Sequence, residues 1–203
     1  LVGAERVLAG KTYVGGLLVT PGVVVVGIQG KETLIGELAA QGSARVDAIA
    51  QCFNAAGLAT TVCADIRATI WDKLLINVAT GALCGITGLP YGALYQVPEV
   101  RACALAAVAE AMAVARASGV ALSITDPVQA WDKAAAGMPF EFKASMLQSL
   151  EKGSITEVDY INGAVVERGA ALGVPTPVNA ALVACIKGIE RGLTEYPKRK
   201  EAA

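Results

Sequence analysis

The sequence predicts an α+β chain in two parts, a short β-containing piece followed by an all-helical one, and three observations carry this expectation. From Arg6 to Leu38, Val, Thr, Gly and Ile gather in short apolar runs separated by turn residues, which is strand behaviour. After Asp65 the runs lengthen, become rich in Ala and Leu, and repeat their apolar residues at helical spacing. With 203 residues, 54% of them hydrophobic, the chain has ample material for a buried core and room for one large domain or two small ones. The boundary falls at the composition shift, dividing residues 1–64 from 65–203.

In the first part, Thr20-Pro21-Gly22 is the clearest turn, separating Lys11–Val19 from Val23–Ile28. Gln29-Gly30-Lys31 precedes Thr33–Gly36, so a small antiparallel meander is expected. A helix follows, capped by Ser43, with Val46, Ile49, Ala50 and Phe53 on one face and Gly57 at its end. Thr60–Cys63 reads as one more short strand. Four short strands and one helix make a marginal core, so this part reads as the tail of a larger domain. The helices expected in the second part are Ile66–Leu83, Val100–Ser118, Pro127–Ala135, Glu141–Lys152, Glu157–Leu172 and Asn179–Leu193. Asp65 precedes the first, Pro98 and Glu99 precede the second, and Gly119 and Gly173 close two others.

Composition removes several functions. There is no histidine, so a Ser-His-Asp triad, a Cys-His pair and a histidine-ligated zinc site are excluded, and proton transfer falls to Lys, Asp, Glu, Tyr or Cys. A net charge of −1 and 5% aromatic residues offer no basic or stacking surface for nucleic acid. The cysteines (Cys52, Cys63, Cys84, Cys103, Cys185) are scattered without a C-x-x-C pair, as suits free thiols in a reducing cytosol, and give no metal framework. Leu74–Tyr95 carries no charge, but Asn77, Thr80, Gly81 and Pro90 interrupt it, so a buried helix and a turn are expected in place of a membrane span. The chain opens at Leu1 with no signal-peptide pattern, and its natural start is not visible. Neither Gly-x-Gly-x-x-Gly nor Gly-x-x-x-x-Gly-Lys occurs.

Two constellations are able to carry chemistry. Lys73 and Asn77 stand one turn apart on an otherwise apolar helix, with Thr80 and Gly81 continuing the stripe. Burial of an ammonium favours its neutral form and tunes it for proton transfer; the structural alternative is a pair with Asp72 or a side chain that snorkels to water. The second is Ser145-Met146-Leu147-Gln148, followed after Lys152-Gly153 by Thr156-Glu157-Val158-Asp159-Tyr160-Ile161-Asn162-Gly163, which puts a hydroxyl and a carboxylate on adjacent elements. Here the structural alternative is a helix cap, since Ser154-x-x-Glu157 is a capping-box pattern and Thr156 with Asp159 a second. Gly15-Gly16 marks a strand bulge or a close approach. Trp71 and Trp131 read as packing residues, Met112, Met138 and Met146 form no site, and Lys198-Arg199-Lys200-Glu201 reads as a solvated tail.

These segments resemble the ketopantoate reductases (2-dehydropantoate 2-reductases). The likeness runs through Asp65–Asn77, Ser145–Gln148 and Thr156–Gly163, supported by Gly88-Leu89-Pro90-x-Gly92 and Gly173-Val174-Pro175-Thr176-Pro177-Val178-Asn179. It implies an NADPH-binding Rossmann domain, of which residues 1–64 would be the end, and a helical domain similar to that of 6-phosphogluconate dehydrogenase. It implies Lys73 as proton donor to the ketone, Asn77 and Ser145 as substrate ligands, Glu157 at the cofactor and substrate, and Gly16 beside the cofactor. The setting implied is a cytoplasmic enzyme of pantothenate and coenzyme A biosynthesis acting on a small 2-oxo acid, and a homodimer is admissible. Gly81 stands where many relatives have a second substrate-binding asparagine, Tyr91 replaces an asparagine before Gly92, and Phe142 falls where some relatives have another. These departures keep open a related NAD(P)-dependent 2-oxo acid or opine-type reductase. The missing glycine-rich segment implies that these 203 residues alone are inactive, and keeps open a non-catalytic helical binding or dimerisation module.

Overall fold

The computed structural model describes residues 3–12, 15–28, 32–38 and 43–195. It forms two compact units, Leu1–Ile70 and Trp71–Ala203, and has an α+β composition. The division falls a few residues beyond the expected boundary at Asp65, because one helix, α2 (Ile66–Thr87), starts in the first unit and continues through the second.

The first unit contains β1 (Leu8–Thr12), β2 (Gly15–Thr20), β3 (Val23–Ile28), β4 (Thr33–Glu37), α1 (Ala44–Ala55) and β5 (Thr60–Val62). The expected meander is corrected in two ways. The run Lys11–Val19 holds parts of two strands: β2 pairs with β3 as a separate hairpin, while β1 pairs antiparallel with β4. β5 pairs parallel with β4 in the order β1-β4-β5, because the intervening helix returns the chain to the end of the sheet where β4 began. Gly22 turns the hairpin at φ 83°. The Ser43 hydroxyl accepts from the Val46 N–H at 3.3 Å to start α1, and Gly57 leaves it in the left-handed region. Val46 and Ala50 then bury against Ile35. Gly36 lies so close to the Cys63 carbonyl that a β-carbon would stand 2.7 Å from it.

The second unit adds α3 (Tyr91–Leu94), α4 (Pro98–Ala117), α5 (Pro127–Ala135), α6 (Ser145–Glu151), α7 (Asn162–Leu172) and α8 (Pro177–Glu195). One core joins them: Leu75, Val78 and Ala82 of α2 are buried with Val108 and Ala111 of α4, Met146 and Leu150 of α6, and Ile186 of α8. Trp131 belongs to it and stacks on Tyr95 with ring centroids 3.9 Å apart; Trp71 packs at its edge. Two helices are shorter than their periodicity suggested. Glu141–Ala144 is not helical because the loop before α6 bonds to α3: the Tyr91 N–H donates to the Phe142 carbonyl and the Gly92 N–H to the Phe140 carbonyl, each at 2.8 Å. The expected helix from Glu157 breaks at Ile161 (φ −109°, ψ −89°) into a 3₁₀ turn, Val158–Tyr160, and α7.

The break accompanies a buried polar network. Glu110 of α4 accepts from the Val178 and Asn179 N–H groups at 2.8 and 3.0 Å, capping α8 from a neighbouring helix. The Asn179 amide donates to the Ala107 carbonyl and to Glu110, and its oxygen accepts from Asn162 Nδ2 at 3.0 Å. Among the described residues no helix is long and apolar enough to cross a membrane. The turn Gln29-Gly30-Lys31 and the tail Lys198-Arg199-Lys200-Glu201 lie outside the described residues.

Candidate active site

Helix α2 sets the geometry. Lys73, Asn77, Thr80 and Gly81 share one face by their spacing, and their exposure falls along it: Lys73 and Asn77 are half-buried, Thr80 and Gly81 buried. Asp72 directs its carboxylate to another element, accepting from the Ser123 N–H and hydroxyl (3.2 and 2.6 Å) and from the Ile124 N–H (3.2 Å).

At the buried end of the face α2 receives α6. A β-carbon on Gly81 would stand 3.3 Å from Met146 Cε, so the glycine lets the thioether lie against the helix backbone. One turn on, burial pushes the Cys84 thiol up to about 11, against the opposing effect of a hydrogen bond from the Ala144 backbone. Ser145, the exposed first residue of α6, stands between Ala144 and Met146, both of which contact α2. Gly81 itself is covered by Met146 and presents no side chain for a ligand.

Tyr91 ties the same elements together from α3. Its hydroxyl lies 2.8 Å from Thr80 Oγ1, a buried hydrogen bond in which either hydroxyl can donate. Burial raises the Tyr91 phenol above its ordinary range, so it keeps its proton. Its ring meets Phe142 edge-on, with centroids 5.0 Å apart. In the sequence Tyr91 stands out only as a departure from the family motif. The signal that would have found it is general: a buried tyrosine hydroxyl needs a partner, and Thr80 is the polar residue of the apolar helix within reach.

Glu157 lies on the segment after α6. It starts the 3₁₀ turn without a side-chain capping bond, so the capping-box reading fails. Thr156 takes that place: its hydroxyl accepts from the Val158 N–H at 3.2 Å, while its own N–H and O–H donate to Glu190 of α8, each at 2.7 Å. Burial raises the Glu190 carboxyl, but the bonds from Thr156 and the Lys187 ammonium outweigh it and hold the group below its ordinary range. Lys187 also pairs with Asp159 at 2.5 Å. Glu157 is left exposed beside this network. Gly16 lies in the first unit on β2, opposite Val26 and next to a register shift at Gly15. Among the described residues no group of three or more Cys, Asp or Glu side chains is placed to hold a metal.

The second unit therefore offers an ammonium and an amide one turn apart, with a hydroxyl on the helix seated against their face. An ammonium and hydrogen-bond donors suit a small anion with a polarisable carbonyl. Comparisons with known proteins show the family. Residues 65–190 match the family model described as "Ketopantoate reductase PanE/ApbA C terminal". A 2-dehydropantoate 2-reductase of Halobacterium salinarum is 34% identical over 190 residues, 94% of this chain and 62% of that protein. A PanE/ApbA family ketopantoate reductase structure from Ralstonia eutropha JMP134 superposes with a TM-score of 0.82 at 35% identity, covering 92% of this chain and 60% of that one. A D-mandelate dehydrogenase structure with NADH and anilino(oxo)acetate superposes with a TM-score of 0.83 at 23% identity, over 94% of this chain and 62% of that one, a likeness of fold alone. The chain spans about three-fifths of the length of these proteins.

Proposed function

Since this chain belongs to the ketopantoate reductase family, we propose that its activity is the NAD(P)H-dependent reduction of 2-dehydropantoate to pantoate, a step of pantothenate and coenzyme A biosynthesis. One observation carries the reading: Lys73 and Asn77 lie one turn apart on α2, and Met146, the neighbour of Ser145, packs on Gly81 one turn further along. In this reading residues 65–203 form the substrate domain and residues 1–64 the end of a Rossmann domain, in a cytoplasmic enzyme that admits a homodimer.

Lys73 holds the ketone oxygen by a charge-assisted hydrogen bond. As negative charge develops on that oxygen the ammonium stabilises it and then gives up a proton, so one side chain serves as electrostatic partner and acid. Asn77 orients the same oxygen through its amide, and the Ser145 hydroxyl donates to the substrate carboxylate. Gly81 serves the site indirectly, by letting Met146 bring Ser145 close to α2.

The chain's own residues fit the cofactor in part. Glu157 offers an exposed carboxylate that accepts from a sugar hydroxyl, and Gly16 a backbone without a side chain. No glycine-rich cradle for a pyrophosphate occurs in the 203 residues, so no phosphate contact is assigned to them. When bound, reduced nicotinamide supplies a hydride to the carbonyl carbon; NADPH is the form the family resemblance implies.

A second reading, a related 2-oxo acid reductase, is favoured by the aromatic pair Tyr91 and Phe142, at positions where the family resemblance implies asparagine. The test is oxidation of NADPH and NADH by the protein expressed from its complete reading frame, with 2-dehydropantoate and with 2-oxo acids bearing apolar side chains. Preferred turnover of 2-dehydropantoate supports the first reading, and preferred turnover of an apolar 2-oxo acid replaces it with the second.

A further inference from the structure

We propose that Tyr91 is a positioning residue, fastening the segment that delivers Ser145 to the helix that bears Lys73, so that carboxylate anchor and proton donor act on one substrate molecule. The functional consequence rests on the roles proposed above; the mechanical one does not.

Ser145 reaches its place through a stretch, residues 136–144, that is neither helix nor strand. What holds the end of that stretch is α3. The Tyr91 and Gly92 N–H groups donate to the Phe142 and Phe140 carbonyls, and Phe140 folds over Gly92 so closely that a β-carbon there would overlap its ring. Helix α3 is itself a single turn of four residues, too short to be stable alone. Its directional side-chain tie to α2 is the Tyr91 hydroxyl on Thr80, at 2.8 Å and buried. Thr80 lies two turns along the face that carries Lys73, so the connection runs from α2 through the Thr80–Tyr91 hydroxyl bond to Phe142, three residues before Ser145.

The packing of Met146 on Gly81 and the Cys84 bond to the Ala144 backbone also join this segment to α2, but a thiol is a weak hydrogen-bonding partner, and dispersion has no preferred direction and tolerates a sliding thioether. A hydrogen bond with a narrow distance and angle range does not. The Tyr91 hydroxyl thus supplies register where the methionine supplies contact. Because the phenol stays protonated, the tie is independent of pH through the neutral range.

The test uses protein from the complete reading frame carrying Tyr91→Phe, which removes the hydroxyl and keeps the ring, and Thr80→Val, which removes its partner. Amide exchange is measured first, without substrate. Both variants are expected to speed exchange in residues 140–147 by about 5- to 10-fold, the weight of one ordinary hydrogen bond, and to leave α4 and α8 unchanged. In turnover, KM for the 2-oxo acid is expected to rise by a similar factor with kcat within about 2-fold, Thr80→Ser is expected to restore it, and Tyr91→Phe is expected to add nothing in a Ser145→Ala background. Unchanged exchange in residues 140–147 overturns the proposal whatever the enzyme reduces. Faster exchange with no turnover of any 2-oxo acid leaves the tie standing and rejects the reductase reading. Faster exchange with KM unchanged, or with the same KM rise in the Ser145→Ala background, denies Tyr91 its role in placing Ser145.

Discussion

Met146 lies across Gly81, its terminal methyl 3.3 Å from the place of a β-carbon, so the helix that carries Ser145 rests directly on the backbone of the helix that carries Lys73. That closeness depends on the missing side chain. Alanine asks the flexible Met146 end to yield a few tenths of an ångström and regains about 1 kcal/mol of helix propensity, so Gly81→Ala is expected to leave stability within about 1 kcal/mol. Asparagine does not fit without moving Met146, and Gly81→Asn is expected to cost about 1–3 kcal/mol in urea unfolding. Equal stability of the two variants would show that Met146 does not close this site.

Asn179 is fully buried and joins α4, α7 and α8 through bonds to Ala107, Glu110 and Asn162. Asn179→Ala leaves the Asn162 amide without its partner and takes a donor from Glu110. The cost expected is about 2–4 kcal/mol, more than a surface substitution and near the upper range for a buried network. Asn162 Oδ1, buried with no protein partner, makes the orientation of this amide depend on Asn179 alone, so Asn162→Ala is expected to cost less than Asn179→Ala. Chemical denaturation of the two variants checks the order.

Glu190 links stability to pH. Its carboxyl is held below the ordinary value because the Thr156 bonds and Lys187 outweigh burial. The unfolded chain therefore takes up this proton first as pH falls, and the stabilisation, complete above the ordinary carboxylate range, is lost as pH drops through the folded value. Glu190→Gln is expected to lower the melting temperature at neutral pH and to flatten its decline below about pH 4.5. Parallel melting curves for the two proteins over that range would contradict this assignment.

The parts of the fold that were legible in the sequence are those settled locally. Pro127–Ala135 was bounded correctly because Asp126 accepts from the Val128 N–H and Pro127 takes the first helical position. Ser43 and Gly173 marked helix ends for the same kind of reason. The errors came where a distant partner overrode a local pattern. Glu141–Ala144 has helical periodicity, but α3 holds its backbone; Ser154-x-x-Glu157 has capping spacing, but Glu190 of α8 bonds Thr156 instead. In the candidate site, the Lys73 and Asn77 stripe needed only the helical period. The Thr80 and Tyr91 bond joins two elements, and no spacing within either announces it.

The most direct test of the central claim is the kcat of Lys73→Ala with 2-dehydropantoate and saturating NADPH, in protein from the complete reading frame with unchanged melting temperature. The account predicts turnover by the unaltered protein and a fall of about 10²–10⁴-fold in the variant, the worth of a positioned acid. Activity in Lys73→Ala within about tenfold of the unaltered protein would contradict it, since a proton donor lost from the reacting oxygen costs more than that.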